Sequence, residues 1–178
     1  MTDTPTHLLI PNTTFTTMGE AHQLTNQLEH ALAHHNTPAN THSKLTELFS
    51  EMVNNAAEHS LAQAYAFVRY IPSTKQFHAI ISDRGIGIKQ SLNNSHPTNS
   101  HTEALQLATQ EGITSSGNPH RGIGLFSLFS ELTRPMHKLT LTSYTGQLHY
   151  PPYHSHLFHD IPDYAAHTGT RIDMYIPT

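Results

Sequence analysis

Glu51 and Asn55 stand one helical turn apart in the run EMVNNAAEHS, residues 51–60. A carboxylate and a carboxamide so spaced suit a hard divalent cation such as Mg²⁺, which prefers oxygen ligands and keeps several of its waters. In DRGIGI, residues 83–88, Asp83 precedes Gly85 and Gly87 at the end of an apolar run. Its carboxylate is able to accept from an exocyclic amine such as that of adenine. The glycines let the backbone turn sharply and approach a ligand closely. A second glycine pair, Gly122 and Gly124 in RGIGL (residues 121–125), opens a helix-like run. Backbone N–H groups at a helix start cradle phosphates, and Arg121 adds a charged donor for the same oxygens. Each run alone has an ordinary reading: a surface helix with a solvated side, an Asp-Gly turn, a helix start shaped by packing. Together, and in this order, they point to a nucleotide site. Neither a GxGxxG opening a helix nor a GxxxxGK[ST] loop is present, so a dinucleotide fingerprint and a P-loop are excluded.

The elements that position these groups follow from periodicity. Residues 7–10 suggest a short strand or edge, and Leu24, Leu28, Ala31 and Leu32 predict a helix over about 18–35. NTPANTHS (36–43) reads as a loop of turn formers. Ser43 is the expected N-cap of a second helix running to about Ser60. On that helix Glu47, Glu51, Asn55 and Glu58 share one face with His59 at its edge, while Leu45, Phe49, Met52, Val53 and Ala56 occupy the other. Residues 65–71 and 76–82 predict two strands joined by a turn at 72–75, the second running straight into DRGIGI. Residues 89–101 read as a polar, mobile loop, 102–110 as a short amphipathic helix and 112–120 as another loop. Late strands are expected at 138–143 and 171–176. The Pro/Tyr/His-rich stretch 150–164 reads as a long surface loop.

At 178 residues the chain fits one domain with a sizeable core. Charged residues are 12% and hydrophobic ones 36%, which fits a globular, lightly charged protein. A formal charge of −4 with no Lys/Arg cluster argues against nucleic acid as a partner. With Cys at 0, disulfides and thiol chemistry are excluded. The first residues lack a basic start and a long apolar run, so no signal peptide is expected. No apolar stretch reaches membrane-spanning length, and a cytoplasmic protein is the expectation.

The three runs resemble the N, G1 and G2 boxes of the ATPase superfamily shared by gyrase, the ninety-kilodalton heat-shock chaperones, histidine kinases and the mismatch-repair MutL proteins. Glu51 and Asn55 match the N box, Asp83, Gly85 and Gly87 match G1, and Gly122 and Gly124 match G2. GTRIDMYIP resembles the Gly-Thr opening of the last strand, carried by Gly169 and Thr170. The resemblance spans residues 43–178, with 1–42 as an N-terminal strand and helix extension. It implies a Bergerat-type α/β fold: a two-layer sandwich whose mixed, mostly antiparallel sheet carries helices on one face. It implies ATP and Mg²⁺ as cofactors. Asn55 would bind Mg²⁺, Glu51 would activate the attacking group, and Asp83 would bind the adenine amino group with Thr170 nearby. Arg121, Gly122, Gly124 and Leu125 would line the nucleotide, with residues 89–120 as an ATP lid. One departure stands out. Where many members carry a basic residue, three positions after the Asn, this chain has Glu58. Either Arg121 or His120 substitutes, or phosphate binding is weaker than usual.

Among small stand-alone members the chain is most similar to bacterial anti-sigma-factor serine kinases. The resemblance implies a serine kinase acting on a protein partner, either sigma-factor-like or a small phospho-accepting regulator, and a possible homodimer. A nucleotide-gated binding module with little or no turnover is the alternative. The 17 histidines, against 9 Lys+Arg, read as compositional bias rather than a metal site, being scattered without ligand spacing. They still carry a consequence. With ordinary histidine pKa values the net charge changes sign as pH falls from 7 to about 6, and electrophoretic mobility should reverse across that interval.

Overall fold

The computed structural model describes residues 6–59, 63–113, 124–132, 137–153 and 156–178. It is an α/β fold built on a seven-stranded sheet. Strand β1 (His7–Phe15) leads into helix α1 (Met18–His34) and helix α2 (Ala39–His59). Strands β2 (Ala64–Ile71) and β3 (Gln76–Ser82) follow, then helices α3 (Gly87–Leu92), α4 (His101–Ala108) and α5 (Gly124–Leu132). Strands β4 (Lys138–Tyr144), β5 (Gly146–Tyr153) and β6 (His156–Asp160), a 3₁₀ turn (Asp163–Ala165) and β7 (His167–Pro177) complete the chain.

The strand order is β1-β2-β3-β7-β4-β5-β6, so the last strand lies in the middle. All six pairings are antiparallel, which corrects the expectation of a mixed sheet. The helical connection between the neighbouring strands β1 and β2 runs through two helices, α1 and α2, and returns an antiparallel pair rather than the single-helix crossover of a parallel one. Burial alternates along the central strands. Ala64, Ala66 and Val68 of β2, Phe77, Ala79 and Ile81 of β3, and Ile172, Met174 and Ile176 of β7 are buried on one side. Helix α2 closes that side with Leu45, Leu48, Phe49, Met52, Val53 and Ala56. Each Leu, Ile, Val, Phe or Met among them, fully removed from water, contributes roughly 1.5–3 kcal/mol of transfer free energy, and each Ala less. The polar side of α2, carrying Glu51 and Asn55, is thereby turned along the layer rather than into it.

Helix α1 begins at a capping box. Thr17 accepts from the Glu20 backbone N–H, and the Glu20 carboxylate accepts from the Thr17 backbone N–H at 3.0 Å. The same carboxylate accepts from Thr16 N at 2.7 Å, and the backbone donors of Thr16 and Thr17 hold the Glu20 carboxyl below its ordinary pKa.

Four expectations change. Strand β1 runs to Phe15 rather than Ile10, because Pro11 is tolerated on a sheet edge where register shifts absorb it. Helix α2 starts at Ala39, so Ser43 is not its N-cap. Pro38, whose carbonyl accepts from His42 N at 2.8 Å, is compatible with a helix's first turn. The polar stretch after DRGIGI begins with α3 instead of a loop. Residues 150–164 hold the end of β5, all of β6 and the 3₁₀ turn, not one long loop. None of the described helices is long and apolar enough to cross a membrane.

Candidate functional site

The antiparallel register pairs Ser82 at the end of β3 with Arg171 near the start of β7. DRGIGI and the Gly169-Thr170 pair therefore meet although they are far apart in sequence. Asp83 N donates to Thr170 O at 2.9 Å, continuing the ladder by one step. The Asp83 carboxylate then turns back: Oδ1 accepts from Gly85 N at 2.7 Å and from Thr170 N at 3.3 Å. His167 Nε2 lies 2.9 Å from the Asp83 carbonyl, which can only accept, so that nitrogen carries the proton.

Two glycines make this packing possible. Gly169 has φ +87°, and a Cβ there would sit 2.5 Å from Asp83 O and 2.6 Å from its Oδ1. Gly87 has φ +71°, with a hypothetical Cβ 2.6 Å from the Tyr144 ring. At Gly87 the chain enters α3, where Ile88 N donates to Ser143 Oγ at 3.0 Å. The G1-like turn is thus held from below by β4 and from the side by β7.

Asp83 is only 7% exposed. Burial raises its carboxyl above the ordinary value, opposed by the hydrogen bonds from Gly85 and Thr170 and by the nearby His167 and His59. A carboxyl raised in this way favours the folded chain while protonated. That contribution is lost as pH rises through its folded-state value, so at neutral pH the buried charge costs stability. A charge kept at a cost is a common signature of a working group.

Next to it a cavity of about 130 Å³ opens between α2, α3, the end of α4, α5 and the β3/β7 junction. Glu51, Asn55, Asp83, Gly87, Leu125 and Thr170 line it, bringing residues from both halves of the chain to one space. Asn55 Nδ2 donates to Glu51 Oε1 at 3.3 Å, which leaves the Asn55 carbonyl oxygen as its remaining acceptor. The floor is apolar, with Met52, Ile81, Ile88, Leu92 and Ile172. Gly85 stays at the turn, its carbonyl 3.5 Å from the Tyr144 hydroxyl, and is not a lining residue. Gly124 opens α5. Arg121 and Gly122, with His120, lie outside the described residues.

Two observations go beyond the sequence reading. His59 lines the cavity on the turn after Asn55, while Glu58 is exposed and does not line it. The i, i+4, i+8 spacing of Glu51, Asn55 and His59 already sets it at the edge of that helical face, and its place on the cavity wall is what the structure adds. Ile88, Ser91 and Leu92 come from α3, within a stretch whose polar composition had concealed a helix.

No family model matches the chain, and no curated protein or solved structure does either. The cavity and its residues are what bear on function. Replacing Gly169 by alanine tests the junction itself. A Cβ on a positive-φ residue against backbone should lower stability by roughly 2–4 kcal/mol, read as a lower urea midpoint with an unchanged slope.

Proposed function

We propose that the chain is a Bergerat-type domain that binds Mg-ATP in this cavity and transfers phosphate to a serine of a small partner protein. The observation that supports it is the meeting of Glu51, Asn55, Asp83 and Thr170 on one cavity, with Asp83 held by two backbone N–H groups. A carboxylate fixed through one oxygen presents the other to a donor. The adenine amino group supplies such a donor, and the apolar floor suits a flat heterocycle.

The fit to Mg²⁺ can be weighed on the donor set. Among the described residues no group of three or more His, Cys, Asp or Glu could hold a metal, so no protein cage is at hand. Mg²⁺ does not need one, since it commonly takes one or two protein oxygens together with phosphates and water. Asn55, with its amide nitrogen engaged by Glu51, offers that oxygen. When bound, the ion would neutralise phosphate charge.

This chain's own residues then divide the work. Asp83 and Thr170 bind and orient the base. Asn55 fixes the cation and, through its amide, the rotamer of Glu51. Glu51 orients the incoming serine hydroxyl and takes its proton as the γ-phosphoryl passes to the oxygen and ADP leaves. Catalysis of this kind is mostly positioning and charge stabilisation.

A second reading has its own observation. No Lys or Arg lines the cavity among the described residues, and His59 is the one basic side chain there. Weak hold on the phosphates suits a nucleotide-gated module that presents a surface to its partner without turnover. Glu51→Gln separates the two. For a kinase, transfer of labelled γ-phosphate to partner serine should fall at least about 100-fold, with ATP affinity within about threefold. Unchanged transfer in the variant would contradict the role of Glu51, and intact ATP binding with no acceptor labelled would favour the gated module.

A further inference from the structure

The sheet has a second face, which none of the described helices covers. In a one-sided antiparallel sheet that face is ordinarily polar. Here the register places Leu8, Phe67, Ile80 and Tyr175 on it, across β1, β2, β3 and β7. Leu8 is 57% exposed. Phe67, Ile80 and Tyr175 are half-buried.

The same face carries most of its charge with one sign. Arg69, His78, Tyr175 and Lys138 form one cross-strand row, and Arg171 and Asp173 lie in the neighbouring rows of β7. His78 is stacked on Tyr175 at 4.2 Å with an interplanar angle of 3°. Arg69 Nε donates to His78 Nδ1 at 3.2 Å, so Nε2 carries the proton and donates to Asp173 Oδ1 at 3.0 Å. Asp173 also accepts from Arg171 at 3.5 Å. The one carboxylate of the group is thus engaged within the face. The cations flank the rings: Lys138 Nζ lies 5.7 Å from the Tyr175 ring centroid and the Arg69 guanidinium 5.7 Å from that of Phe67. In a chain of formal charge −4, the described residues thus place three Lys/Arg and one Asp on the strands of this face.

We infer that the open sheet face, centred on the half-buried Tyr175 with the buried His78 stacked against it and flanked by Arg69, Lys138 and Arg171, docks an acidic, aromatic-bearing segment of a partner protein. Exposed apolar patches rimmed by charge mark interaction sites, and Tyr and Arg are the residues that most often anchor them. Carboxylates of the partner meet the three cations, and its apolar side chains cover Leu8, Phe67 and Ile80. A second copy of this chain fits worse, because a two-fold contact sets a patch against itself and would oppose cation to cation. A nucleic acid fits worse as well, since three cations on a net-negative chain give little counterion release. The inference does not depend on the nucleotide reading, because the cavity lies on the other side of the sheet.

The test is fluorescence anisotropy with a labelled peptide of Glu and Phe and its counterpart with Lys in place of Glu. The wild type should bind the Glu peptide and not the Lys one, more weakly as salt rises. Lys138→Glu with Arg171→Glu should cut affinity for the Glu peptide at least about tenfold and confer binding of the Lys peptide. Lys138→Glu alone, at an exposed position, should move both affinities in the same directions should the double variant fold poorly. The inference is overturned if the wild type ignores the Glu peptide or the variants bind it equally. Preference for a dT oligonucleotide, or a dimer dissolved by Leu8→Glu in sedimentation, would also overturn it.

Discussion

The Asp83 carboxylate, tied by Gly85 N and Thr170 N, is the contact on which the geometry of the site depends. It joins the end of β3 to the start of β7, and so fixes where the chain leaves the sheet to build the α3 side of the cavity. The contact needs Gly169, since a side chain there would occupy the space of the Asp83 backbone and carboxylate. It also needs Gly87, whose positive φ turns the chain against Tyr144. Burial acts against the carboxylate's charge at neutral pH. A fold concerned with stability alone would favour a neutral group of similar shape here. Retaining the carboxylate makes sense where an acceptor is wanted at the cavity wall.

The two faces of the sheet divide the molecule's chemistry. On the covered face, apolar strand residues and the stripe of α2 form the core, and the polar remainder of α2 borders the cavity. On the open face, hydrogen bonds among Arg69, His78, Asp173 and Arg171 hold side chains in fixed positions across three strands. Because β7 is central, it contributes to both: Thr170 and Ile172 line the cavity, while Arg171, Asp173 and Tyr175 face the other way. Period-two alternation on one strand is what couples the two surfaces geometrically.

Much of the local structure is legible in the residues. The helical spacing of Leu24, Leu28 and Leu32 is a strong signal, and so are the strand-like runs 65–71 and 76–82, the second leading into Asp83. The proximity of Asp83 to Thr170 is expected only through the family resemblance and not from local patterning, because it depends on β7 pairing with β3 across almost ninety residues of chain. The expectation of a partly parallel sheet came from family resemblance and fails against the pairings. Strands β5 and β6 were hidden by Pro151, Pro152 and clustered His and Tyr, a composition that reads as loop unless the strands lie toward a sheet edge. Helix α3 was hidden by the polar run Lys89, Gln90 and Ser91, of which Gln90 is exposed and Ser91 borders the cavity, while Ile88 and Leu92 turn inward. The basic face could not be read at all without strand order, since Arg69, Lys138 and Arg171 are scattered in the sequence.

The central claim is that the cavity takes Mg-ATP through Asp83. Calorimetric titration of the folded protein with ATP, with and without Mg²⁺, tests it most directly when run beside Asp83→Asn. The account predicts saturable binding near one site per chain, strengthened by Mg²⁺ and abolished in the variant. The variant should melt no lower than the wild type at neutral pH, because it removes a buried charge and keeps an oxygen for Gly85 and Thr170. Absence of ATP binding by the folded wild type, or undiminished binding by Asp83→Asn, would contradict it.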